Sequence, residues 1–142
     1  MTIVVPIDRS GDATRVIQEG KRLADVFNDD LDVVHVLTEQ AYQELDRTSS
    51  DKRHVTTQHS EIEETAAEIV EEALLESGVT ANAVGLVGQA AQEIIKYSQT
   101  QNARYIVVGS RKRSPVGKAV FGSVSQEVLL NANQPVVAVP RV

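Results

Sequence analysis

The feature that most constrains this chain is an alternation. Short runs of β-branched and aliphatic residues, each too short for a stable helix, take turns with longer stretches in which apolar residues recur every three or four positions. Ile3, Val4, Val5 and Ile7 form the first run, and Asp8, Arg9, Ser10, Gly11 and Asp12 stop it. Val16, Gly20, Leu23, Ala24 and Phe27 then recur at helical spacing, which predicts one helix face on the core. Asn28, Asp29 and Asp30 break that helix, and Leu31 to Leu37 supplies a second, valine-rich strand.

Thr38 to Arg53 lacks clear periodicity and is read as a surface excursion long enough for a lid. Ile62, Ala66, Ile69, Val70, Ala73 and Leu74 mark a long amphipathic helix, wet on its glutamate side and stopped at Gly78. A third strand fits Ala83 to Val87, and Gly88 leads into a helix with Ala91, Ile94, Ile95 and Ser98 on its core side. The fourth strand is Tyr105 to Val108. A loop from Gly109 to Gly122 precedes a helix led by Ser123, and Pro135 opens the last strand, Val136 to Val139.

Strands and helices in this order predict an α/β fold, a Rossmann-like five-stranded parallel sheet with helices on both faces and right-handed crossovers. With strand order 3-2-1-4-5, strands one and four straddle the point where the winding direction reverses, and ligands bind beyond the carboxyl ends there. The outgoing turns begin at Asp8 and Gly109. At 142 residues the chain is one domain, 1–142, large enough to bury a core without staples.

Composition removes several classes of function. The absence of cysteine excludes thiol catalysis, disulfides and cysteine-ligated metal. Fourteen basic against twenty acidic residues give a net charge of -6, which argues against nucleic acid as a partner. No apolar run is long enough to cross a membrane, and the opening MTIVVPIDRS has neither a basic start nor a small-residue cleavage site, so the expectation is a cytoplasmic protein.

Against that acidic background, residues 109–123 (GSRKRSPVGKAVFGS) contain no acid and carry Arg111, Lys112, Arg113 and Lys118. This is a local anion site. Gly109 and Gly122 lack a Cβ, so the backbone there can take positive φ and approach a ligand closely, ahead of a helix N-terminus that favours phosphate. The Walker A pattern is absent, because Ala119 follows Gly117 and Lys118, and Lys112 stands where the first glycine belongs.

The spacing matches G-x-x-G-x(9)-G-[ST] at Gly109, Gly122 and Ser123, with Lys112 at the middle glycine. Together with VVPIDRS, VVHVL, FGSVSQEVL and QPVVAVP, it makes the chain resemble the universal stress protein family over nearly its whole length. In the nucleotide-binding branch, the resemblance implies Pro6, Ile7 and Asp8 beside the adenosine and Val36 at the base. It places Gly109, Ser110, Arg111, Lys112, Arg113, Gly122, Ser123, Val124 and Ser125 around the phosphates. The implied cofactor is ATP or a related adenine nucleotide, with or without magnesium. The implied assembly is a homodimer through the last strand, at Val136, Val137 and Val139, serving an unidentified protein partner in a stress response.

Each residue also has a plainer reading. Ser123 and Gln126 form an S-x-x-Q capping box, Asp8 turns the chain, and His35 is a satisfied core histidine. His54 and His59 are spaced apart around a helix, so no metal is assigned. No nucleophile elbow or Ser-His-Asp set is present, so no residue is assigned a catalytic role and the function is binding rather than turnover. A nucleotide-free dimeric scaffold is the rival that Lys112 favours. A weak ATPase, with Asp8 and a metal at the phosphates, is a third reading.

Overall fold

A computed structural model of the chain describes residues 1–9, 12–46, 59–110 and 121–140. Arg111, Lys112, Arg113 and Lys118, and the middle of the excursion after the second strand, lie outside the described residues. Ten elements follow one another: β1 (Thr2–Pro6), α1 (Thr14–Phe27), β2 (Asp30–Leu37), α2 (Glu39–Asp46), α3 (His59–Ser77), β3 (Asn82–Val87), α4 (Ala90–Thr100), β4 (Ala103–Ser110), α5 (Ser123–Asn131) and β5 (Val136–Pro140). The strands form one parallel sheet in the order β3-β2-β1-β4-β5, as the alternation predicts.

Successive side chains leave a strand on opposite faces, so each buried strand feeds two cores. Ile3, Val5, Leu31, Val33, Val107 and Val139 meet Val16, Ile17 and Ala24 of α1 and Val70 and Leu74 of α3 on one face. On the other, Ile106 and Val108 meet Ala91 and Ile94 of α4 and Val128 of α5, while Val4 and Val34 pack near Tyr97. The result is three layers, with β1 covered on both sides.

One contact explains a glycine inside a strand. A Cβ on Gly85 of β3 would overlap the Glu63 carbonyl oxygen and lie 2.6 Å from Ala67 N and 2.9 Å from Ala66 Cβ. Only a missing side chain lets α3 sit this close to the sheet. At its far end α3 stops where expected, on Gly78 at φ +69°, whose amide donates to the Leu74 carbonyl at 3.0 Å.

The region after β2 differs from expectation. Glu39 to Asp46 is helical, started by Thr38, whose hydroxyl oxygen accepts from the Ala41 amide at 2.9 Å. Ala41, Tyr42 and Leu45 pack on Leu37, Ile62 and Ala66. Eight residues carry barely two turns of period, so tertiary packing rather than sequence pattern makes this helix.

Two polar clusters lock the amino ends of the strands. Asp32, buried on β2, accepts from Asn82 Nδ2 of β3 at 2.8 Å and from the Tyr97 hydroxyl of α4 at 2.6 Å. Burial and the Asp32 carboxylate push the Tyr97 phenol above its ordinary pKa. Nearby, Asp29 accepts from Arg104 Nε at 2.6 Å and meets the Met1 amino group at 3.4 Å, while Arg104 lies 4.3 Å from the centre of the Phe27 ring. The Arg104 guanidinium holds the Asp29 carboxyl below the usual carboxylate range. Both clusters sit at the end of the sheet opposite the cleft described next.

Candidate functional site

Parallel strands show their hydrogen-bonding groups alternately to one neighbour and the other. The Ile7 amide donates to Val34 O of β2 at 2.8 Å, so Val5 and Ile7 face β2 and the residues that alternate with them, Val4 and Pro6, face β4. Proline has no amide to offer. Pairing of β1 with β4 accordingly ends at Val4–Ile106, while pairing with β2 runs on to Pro6–Val34. Pro6 therefore stands where β1 and β4 part, at the switch point itself.

A cleft opens there, between the carboxyl ends of β1 and β4. Pro6, Ile7 and Asp8 form one wall, with His35 and Val36 beside them. Val108 and Gly109 form the floor, and Ala90, Ile94, Val124, Ser125 and Val128 close it from α4 and α5. A second cavity, on the other side of the β1–α1 turn, shares Ile7 and Asp8 and is walled by Arg9, Thr14, Glu72 and Glu76.

Both helices that reach the cleft point their amino ends at it. Neither α4, after Gln89, nor α5, after Gly122, has a side-chain cap, so their first-turn amides keep no intrahelical acceptor. Those amides and the helix dipoles give this end of the cleft a positive character, and among the described residues that line it there is no Lys or Arg.

Val36 presents backbone rather than side chain as its polar contribution. Gly88 N–H bonds to the Leu37 carbonyl, so Leu37 faces β3 and Val36 faces the opposite way, toward the space past the end of β1. His35, on the α3 side of the sheet, has Nδ1 2.7 Å from the Ile7 carbonyl oxygen. A carbonyl only accepts, so Nδ1 carries the proton and Nε2 does not. Among the described residues, Nε2 is buried with no hydrogen-bond partner. Burial pushes the His35 imidazole below the ordinary histidine pKa; the Ile7 bond and the Asp8 charge oppose that shift, and Arg9 adds to it.

Of the residues singled out from sequence, Pro6, Ile7, Asp8, Val36, Gly109, Val124 and Ser125 line this cleft. Ser110 ends β4 and is buried, Gly122 caps α5, and Ser123 is its exposed first residue. Three expectations need correction. Ser123 does not cap the helix: the cap position belongs to Gly122, and the serine hydroxyl that ties α5 to β4 is that of Ser125, 3.4 Å from Gly109 O. Among the described glycines positive φ occurs at Gly78 and Gly88 but not at Gly109, which is still in β4, nor at Gly122, at φ −68°. His35 is not satisfied, since only one ring nitrogen has a partner. Sequence reading also passed over the apolar lining of Ala90, Ile94, Val108 and Val128, which is indistinguishable from core by composition.

A model of the Universal stress protein family matches residues 1–140. The chain belongs to the universal stress protein family. A universal stress protein of Mycolicibacterium smegmatis is 41% identical over 71 residues, covering 49% of this chain and 55% of that protein. A universal stress protein of Methanocaldococcus jannaschii is 25% identical over 139 residues, covering 98% of this chain and 81% of its own. The solved structure of a universal stress protein from Archaeoglobus fulgidus superposes with a TM-score of 0.63 at 29% identity, covering 97% of each chain. A structure of the universal stress protein from that organism in complex with dAMP gives a TM-score of 0.59 at 24% identity, covering 97% of this chain and 96% of that one. In this universal stress protein, then, the family sheet is complete, and no described helix is long and apolar enough to cross a membrane.

Proposed function

We propose that the protein is a regulatory adenine-nucleotide-binding protein whose site is the cleft between β1 and β4, and that it acts by binding rather than by turnover. The observation that carries this reading is the pairing of two kinds of donor in one cleft. Val36 offers a backbone N–H and C=O side by side, which match the acceptor nitrogen and exocyclic amine on the adenine edge. The uncapped amides of α5 suit phosphate oxygens. Asp8, at the mouth between them, suits a ribose hydroxyl or a magnesium ion. Gly109, Ser110, Gly122, Ser123, Val124 and Ser125 frame the phosphate end, and Arg111, Lys112 and Arg113 follow β4 directly in sequence as its cationic side chains. That a family member of similar fold was solved with dAMP supports an adenine ligand.

The partner part of the reading is a cytoplasmic homodimer joined edge to edge at β5. Val139 is buried within its own chain, and Val136 and Val137 pack against the two cores, so these valines contribute rigidity rather than exposed contact area. What β5 offers is backbone. The Ile106 amide donates to Pro135 O, which turns Pro135, Val137 and Val139 toward β4 and leaves Val136 and Ala138 facing outward.

Calorimetry with ATP and magnesium tests the reading. Micromolar binding, about −8 kcal/mol, is expected, and Lys112→Ala is expected to weaken ATP more than adenosine. A flat titration at millimolar ATP refutes it and favours the nucleotide-free scaffold. Lys112 is the observation behind that second reading, since it replaces the family's middle glycine; tighter ATP binding by Lys112→Gly marks it as an obstruction.

A further inference from the structure

His35 lies directly across from Ile7, because the β1–β2 register of Pro6 against Val34 continues by one residue. In an undisturbed parallel ladder Ile7 bonds both flanking residues of β2: its amide to Val34 O and its carbonyl to Val36 N–H. Only the first of these forms. The Ile7 amide meets Val34 O at 2.8 Å, but the Ile7 carbonyl is taken by His35 Nδ1 at 2.7 Å, and among the described residues Val36 N–H has no backbone acceptor.

We infer that His35 is a positioning residue that unzips the last rung of the β1–β2 ladder and thereby frees the Val36 amide for the base of the bound nucleotide. The inference rests on the nucleotide reading for its ligand but on this chain's own bonds for its mechanism. An apolar residue at position 35 leaves the Ile7 carbonyl without a partner other than Val36 N–H, and burial of an unmet carbonyl costs enough to draw the rung shut. Closure consumes the donor and turns the Ile7–Asp8 peptide, which is a wall of the cleft. The ring thus has a role beyond filling space: its Nδ1 holds the Ile7 carbonyl while its Nε2 stays buried.

Amide hydrogen exchange of the nucleotide-free protein, read residue by residue, tests this together with ATP titration. His35→Leu is expected to slow exchange at Val36 at least ten-fold relative to wild type while weakening ATP binding at least ten-fold. His35→Asn, whose Nδ2 stands where the histidine Nδ1 does, is expected to stay within about three-fold of wild type on both. Should the leucine variant fail to fold, the ring of wild-type His35 still decides, because nitrogen shifts that place its proton on Nε2 overturn the proposal. Equal Val36 exchange in wild type and His35→Leu overturns it as well, and so does unchanged ATP affinity in a variant whose exchange has slowed. A wild-type protein that takes up no ATP refutes the nucleotide reading instead, and Val36 exchange then judges the unzipping alone.

Discussion

Gly85→Ala is the sharpest test of how the helical layer is seated. The added methyl would overlap the Glu63 carbonyl and come within 2.6 Å of Ala67 N, both backbone atoms of α3, so no rotamer change relieves it. Relief requires lifting α3 from β3 by more than an ångström. That helix brings Ile62, Ala66, Val70 and Leu74, all at most 8% exposed, to the sheet. Overpacking costs about 1–3 kcal/mol where side chains can yield, so a backbone clash belongs at about 3 kcal/mol or above. For a domain of this size, that lowers Tm by roughly 10 °C. Thermal unfolding followed by circular dichroism, with urea melts for the free energy, reads the effect. A variant melting within about 2 °C of wild type shows that α3 is not held against Gly85 and refutes the packing argument.

Tyr97→Phe leaves one oxygen of buried Asp32 unmet and is expected to cost about 1–3 kcal/mol in urea melts, with ATP affinity unchanged because the cluster lies at the opposite end of the sheet. Ala138→Pro removes an outward-facing amide of β5 without touching its bonds to β4, so light scattering should report monomer from a folded chain; a persistent dimer places the interface elsewhere. Acid is expected to destabilise the fold through His35. Its folded pKa lies below the ordinary 6.5, so the unfolded chain binds the proton first, and stability falls as pH drops through about 6.5 toward the folded value. His35→Asn should flatten that slope in urea melts between about pH 7 and pH 5, and an equal slope in both proteins contradicts the assignment.

Sheet order was legible because valine-rich runs and helical periods alternate on both sides of the aperiodic stretch 38–53, and that pattern admits few topologies. The switch point followed from topology alone, and with it Asp8. What Pro6 does there was not legible: it depends on which neighbour each β1 amide faces, and hence on register. The helix Glu39–Asp46 escaped because its three packed residues, Ala41, Tyr42 and Leu45, sit among polar ones, and only the Thr38 cap announces it. His35 was misread for a related reason. A histidine within LDVVHVL signals burial, and nothing in the string shows that one ring nitrogen meets the Ile7 carbonyl and the other meets nothing. Ser123 fits a capping box by spacing, yet it is the first helical residue and the cap lies one residue earlier, at Gly122, and the pattern cannot distinguish the two.

The most direct test of the nucleotide site is a titration of the isotope-labelled protein with ATP and magnesium, followed amide by amide. Saturable shifts are predicted at Ile7, Asp8, Val36, Gly109, Val124 and Ser125, with Asn82, Tyr97 and Ala103 at the opposite end of the sheet unmoved. Shifts confined to other residues, or none at millimolar ATP, would contradict binding in the cleft between β1 and β4.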